Sequence, residues 1–144
     1  MRLLDRESAK MLLLSQGVAL AEDIAKVLNG FDFAKPVYEH HFFPGDILYQ
    51  LIRLPSFDLP SPDRGRWFGL AGITTQKVAV NDSLSGRRAH QFEVIMHFTA
   101  LEGSAKALPV NLKTGIGGPG GGTQIYVPRL LAGRIRAVGP VERW

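Results

Sequence analysis

Residues 115–128 read GIGGPGGGTQIYVP, with six glycines in the first eight positions and a strand-like run directly after them. Glycine serves where the backbone must come close to something or hold φ > 0. No other stretch constrains the chain so strongly. Whatever fold it adopts must carry a loop nearly free of side chains that ends on Thr123-Gln124. A flexible connector or a wide turn between sheet elements would satisfy the glycines. Neither would need to deliver a fixed amide onto the first residues of a strand.

Taken literally, Gly115, Gly117 and Gly120 spell G-x-G-x-x-G. That fingerprint needs a strand before it and a helix N-terminus after it. Here Pro119 interrupts it, QIYVP follows, and too little chain remains for the next strand and its acidic residue. A Walker A loop fails as well, because no lysine follows the glycines.

The rest of the chain must supply the frame for this loop. In LAEDIAKVLNG, Leu20, Ile24, Val27 and Leu28 form one apolar stripe at helical spacing. Asn29-Gly30 stops that helix, with Gly30 expected in the left-handed conformation. An earlier helix is expected over residues 5–14, broken near Ser15-Gln16-Gly17, so that residues 1–30 form a helical segment. The apolar MLLLSQGVALA is interrupted by Gln16 and flanked by Asp5, Glu7, Glu22 and Asp23, which does not suit a cleaved signal peptide. No apolar run reaches the ~18–20 residues that cross a bilayer.

After Gly30 the chain becomes aromatic and β-branched, with strands expected over 37–43, 47–54, 72–80, 90–101 and 123–127. Helices first and then short strands imply an α+β fold with a mainly antiparallel, strongly twisted sheet. At 144 residues the chain suits one core.

Composition closes several routes. With no cysteine there is no thiolate chemistry, no cysteine zinc site and no disulfide. The four histidines form neither H-x3-H nor H-E-x-x-H, so no metal site is expected. SLSG at 83–86 is not a nucleophile elbow. Asp46, Asp58, Asp63 and Glu93 could pair for glycoside chemistry, but spacing does not set their separation. Seventeen Lys and Arg against thirteen Asp and Glu give a net +4, which favours anionic partners. Arg53, Arg64, Arg66 and Arg87-Arg88 offer forks that match phosphate oxygens, and Trp67, Phe68 and Tyr49 offer flat faces for a base or pyridine ring. A pyrophosphate-containing dinucleotide would use both.

The segment GIGGPGGGTQIYVPRLLAGRIRAV resembles the C-terminal part of the tuberculosis necrotizing toxin family, which are NAD glycohydrolases of the ADP-ribosyltransferase fold. Gly120-Gly121-Gly122-Thr123-Gln124 matches their glycine-rich motif, whose glutamine is catalytic; Ile125 stands ahead of Tyr126 where the family often has an aromatic directly. FPGDILYQLIR looks like the first strand of ADP-ribosyltransferase-type toxins, where an arginine of a Leu-Tyr-Arg pattern binds NAD. Gln50 stands in that arginine's place, so Arg53, Arg64 or Arg66 would take its task.

The resemblance implies a split, mainly antiparallel sheet with an N-terminal helical segment (1–30) and an ADP-ribosyltransferase-like catalytic toxin domain (31–144). It implies Gln124 and Arg53 as catalytic residues and Tyr49, Gln50, Arg66, Trp67, Phe68, Gly122 and Thr123 as NAD-binding ones. NAD+ would be substrate rather than cofactor, with water as the acceptor because Gln stands where transferases place Glu, although Glu93 or Glu102 could supply a carboxylate. The same resemblance implies a secreted effector acting in the target-cell cytoplasm and a cognate immunity protein. An ADP-ribosyltransferase acting on protein or nucleic acid, and a basic nucleic-acid-targeting toxin, are the alternatives.

Overall fold

A computed structural model describes residues 1–53, 66–70, 87–106 and 120–138. The chain opens with β1 (Arg2–Leu4), α1 (Arg6–Ser15) and α2 (Ala21–Asn29). Then come β2 (Val37–Phe42), β3 (Ile47–Arg53), β4 (Arg66–Gly69), β5 (Arg87–Val94), β6 (Phe98–Ser104) and β7 (Thr123–Val127). A 3-10 helix (Arg129–Arg134) leads into β8 (Ile135–Ala137). Among the described residues the strands form one sheet in the order β1-β2-β6-β7-β4-β3-β5-β8, and every pairing is antiparallel. The α+β expectation is met by an antiparallel sheet with few helices.

Local chemistry explains the elements. Asp5 caps α1 by accepting from the Ser8 backbone N–H at 2.7 Å, which lowers its carboxyl pKa below the ordinary value. In α2, Ile24, Val27 and Leu28 are buried, whereas Leu20 precedes the helix and is exposed. Three expectations need correction. Gly30 ends α2 with φ −76°, in the right-handed region; a Cβ there would lie 2.9 Å from the Trp67 ring, so glycine is needed for close packing rather than for a left-handed turn. The apolar run at 90–101 is two strands, β5 and β6, separated by Ile95, Met96 and His97. The three-residue β1 lies in the segment expected to be helical. The strand expected over 72–80 lies outside the described residues.

Alternation divides the sheet into two faces. On one, which we call the helix face, Val37, Leu101 and Tyr126 pack with Leu13, Ile24, Leu28 and Phe31 beneath α1 and α2. On the other, the inner face, Phe42, Phe98, Ala100, Ile125, Phe68, Leu48, Phe92 and Val94 bury one another, joined by Leu131 of the 3-10 helix.

The order of the strands shows how that inner face is covered. β5 and β6 stand four places apart in the sheet, about 19 Å in a flat one. The link from Val94 to Phe98 spans at most about 14 Å. The sheet must therefore fold over so that its two halves meet at this end. The β2–β3 turn lies at the same corner, where Gly45 N–H donates to the Val94 carbonyl and Val94 N–H to the Asp46 carbonyl.

Candidate functional site

The end of the glycine stretch does both things that glycine permits. Gly120 and Gly121 have φ 68° and 85°, and the backbone there zips onto residue 105. Gly121 N–H donates to the Ala105 carbonyl at 2.9 Å, and Ala105 N–H donates to the Gly122 carbonyl at 2.8 Å. On its other side Ala105 bridges Phe31. Three segments therefore lie side by side at the head of β7, with the end of α2 among them.

From this head the register builds a row across the helix face. Gln124 stands opposite Gly103 on β6 and opposite Gly69 on β4. Gly69 stands opposite Tyr49, and Tyr49 opposite Gln91. Gln124 is buried, and its Nε2 donates to the Gly30 carbonyl, which also accepts from Lys106 N–H at 3.1 Å. That contact fixes the amide: the nitrogen faces Gly30 and Oε1 is the other end. A glutamate here would set an acceptor against an acceptor, so the position requires an amide.

On one flank the space above Gly103 is filled, since a Cβ there would lie 3.0 Å from both Phe31 and Val37. On the other, Gly69 is itself buried and adds no side chain of its own between Gln124 and half-buried Tyr49. Trp67 borders the row, its ring 5.3 Å from Phe31 and 5.0 Å from Tyr126.

The sequence-predicted residues thus divide. Gln124, Tyr49 and Trp67 share the helix face. Gln50, Phe68 and Thr123 belong to the inner face, with Thr123 exposed and Phe68 buried edge-on against Phe92. Gly122 contributes its backbone to the Ala105 contact. Arg53 ends β3 in register with Arg87, and Arg66 opens β4 in register with Val127; Arg64, Asp58, Asp63 and residues 115–119 lie outside the described residues. Glu102 pairs with Ile125 rather than Gln124, so it stands on the inner face, where its carboxylate meets His40 Nδ1 at 2.5 Å. Glu93 lies 3.6 Å from Arg136. Neither carboxylate adjoins Gln124.

Sequence reasoning missed two cross-strand pairs, His40–Glu102 and His41–His97, the latter 2.9 Å apart between ring nitrogens. It tested histidine spacing along the chain, and register brings these together across it. It also missed Gln91, which only the pairing of β3 with β5 places beside Tyr49. No group of three or more metal-ligating side chains occurs among the described residues.

No family model and no curated protein matches the chain. The solved structure of Tse6 in complex with Tsi6 contains a chain that matches 94% of this chain over 94% of its own length, at 17% identity and a TM-score of 0.69. The fold is a known one. A second likeness, to the structure of Rhs1-CT in complex with the cognate immunity protein RhsI1, is looser: it covers 77% of this chain and 81% of that one at a TM-score of 0.46 and 17% identity. At these identities the first likeness is one of fold.

Proposed function

We propose that the chain is a bacterial toxin domain that hydrolyses the nicotinamide–ribose bond of NAD+. The observation that carries this reading is the row Gln124–Gly69–Tyr49, with the amide of Gln124 locked onto Gly30 at the head of β7. In this row the glutamine of the glycine-rich motif is in register with a buried glycine and, beyond it, an aromatic residue, which supports the reading. The fold shared with a chain of the Tse6–Tsi6 complex supports it, and supports a neutralising partner protein of the immunity type.

In this reading nicotinamide lies over Gly69 against Tyr49, and Gln124 Oε1 accepts a hydrogen bond from a ribose hydroxyl or the attacking water. The C1′–N1 bond breaks with its electron pair leaving on nicotinamide, which departs neutral and needs no acid. Water adds to the oxocarbenium-like carbon and releases a proton to solvent. Arg53, four residues after Tyr49 on β3, holds the pyrophosphate; Arg66 stands in register with Val127 of the inner face and takes no part. A neutral amide contributes position and polarity rather than basicity. Transfer of ADP-ribose to a protein would benefit from a carboxylate beside the reacting carbon, and among the described residues Glu93 and Glu102 both stand elsewhere. Water is therefore the favoured acceptor.

The test is incubation of the purified chain with NAD+, following nicotinamide and ADP-ribose. Equal release of both is expected, reduced about 10²-fold in Gln124→Ala, with circular dichroism showing that the variant is folded. An unchanged NAD+ pool would end the hydrolase reading, and label passed to protein or RNA in a cell lysate would replace it with a transferase.

A further inference from the structure

A separate concavity lies at the other end of β6. A cavity of about 440 Å³ opens between the end of α1, the start of β6 and the 3-10 helix, walled by Gln16, His97, Thr99, Leu130 and Arg134 among others. This volume falls within the range of small-molecule sites. Thr99 is four residues from Gly103, about 13 Å along the strand, so the cavity is distinct from the Gln124 row.

Its described lining carries one full charge, that of Arg134, and one buried acceptor without a hydrogen-bond partner, Gln16 Oε1. Among the described residues no carboxylate lines it; the polar groups are hydroxyls, one amide, one imidazole and one guanidinium. Arg134 Nη1 donates to the His97 carbonyl at 2.6 Å. A guanidinium carries five N–H donors, so this bond aims the fork without exhausting it. Gln16 Nε2 donates to the Thr99 carbonyl at 2.7 Å, tying the end of α1 to β6.

The negative end of α1 also faces this region and would repel an anion. Three of its last four carbonyls are covered, however: Leu12 accepts from Ser15 Oγ and Gln16 N–H, Leu13 from Val18 N–H, and Leu14 from Gly17 N–H. Leu130 is 73% exposed, an apolar surface beside the guanidinium.

We propose that this cavity binds a phosphate group carried on a molecule of nucleotide size. Arg134 takes the phosphate oxygens through its fork, the Thr99 hydroxyl donates a further hydrogen bond, and Leu130 packs on the organic part. The proposal does not depend on NAD+ turnover.

The experiment is isothermal titration of the full chain with inorganic pyrophosphate, adenosine 5′-monophosphate and adenosine. The two phosphates should bind with one-to-one stoichiometry, weakening as sodium chloride is added, and adenosine should bind at least about tenfold less tightly. Arg134→Gln should weaken phosphate binding about tenfold or more. Because Arg134 also anchors the His97 carbonyl, Thr99→Val provides a second variant that keeps shape and removes only the hydroxyl; a loss of a few-fold is expected. Absence of binding, affinity unchanged in both variants, or adenosine binding as tightly as its monophosphate overturns the proposal.

Discussion

The identity of residue 124 is set by the atom it faces. The Gly30 carbonyl needs donors, and an amide supplies one where a carboxylate cannot. Gln124→Glu should therefore destabilise the protein more than Gln124→Met, which keeps the volume and leaves Gly30 its bond from Lys106. We expect a loss of about 1 kcal/mol for Met and about 2–3 kcal/mol for Glu at neutral pH, read from urea midpoints. This is a physical reason for glutamine that the motif alone could not reveal. Gly30 shows the same limit of legibility. A glycine after Asn29 reads as a left-handed cap, and only the Trp67 ring above it gives the real cause. Asp5 falls inside the helix expected over residues 5–14, whereas in the structure it stands one place ahead of the helix as its cap. Its lowered pKa means that its contribution to stability is complete above the ordinary value of 3.8 and is lost as pH falls through the folded-state value. Asp5→Asn retains a capping oxygen without that titration. The stability difference between the two forms, measured by urea unfolding, should accordingly narrow as pH falls below 3.8.

At the scale of elements, the sequence betrays a strand when composition alternates or turn formers bound it. Residues 37–42, 47–53 and 123–127 satisfy that and were placed to within a residue. The break between β5 and β6 was hidden because VIMHF has neither glycine, proline nor asparagine to mark it. Cross-strand partners were hidden for a deeper reason: strand order is a property of the sheet, and nothing local to Glu102 names His40. The glycine-rich stretch was legible in kind, since its described end both takes positive φ and approaches β6 closely. Gly103 completes that close packing from the strand side. A methyl group there would meet Phe31 and Val37 at 3.0 Å, so Gly103→Ala should cost about 1–3 kcal/mol. Thermal unfolding checks it, and the loss should shrink if Val37→Ala first makes room.

For the whole molecule, the sequence indicated the fold class but not the folding of the sheet upon itself. That follows from two short connections joining strands four places apart, and it puts the halves of the inner core face to face. The candidate site inherits its position from this arrangement, because Gln124, Gly69 and Tyr49 share a row only through the order β7-β4-β3. The N-terminal helices cover the same face, and β1 pairs with β2, so residues 1–30 pack into the common core.

Among the described residues the sheet's two margins, β1 and β8, have three residues each, and each has an ion-paired arginine, Arg2 with Glu39 and Arg136 with Glu93. A margin that short and that charged is a poor template for a foreign strand. The eight described strands therefore end in borders that discourage fibril-like stacking, and a concentrated solution should stay free of self-association. Replacing both arginines by valine would lengthen the apolar edges and should bring light scattering on gentle heating well below the unfolding temperature.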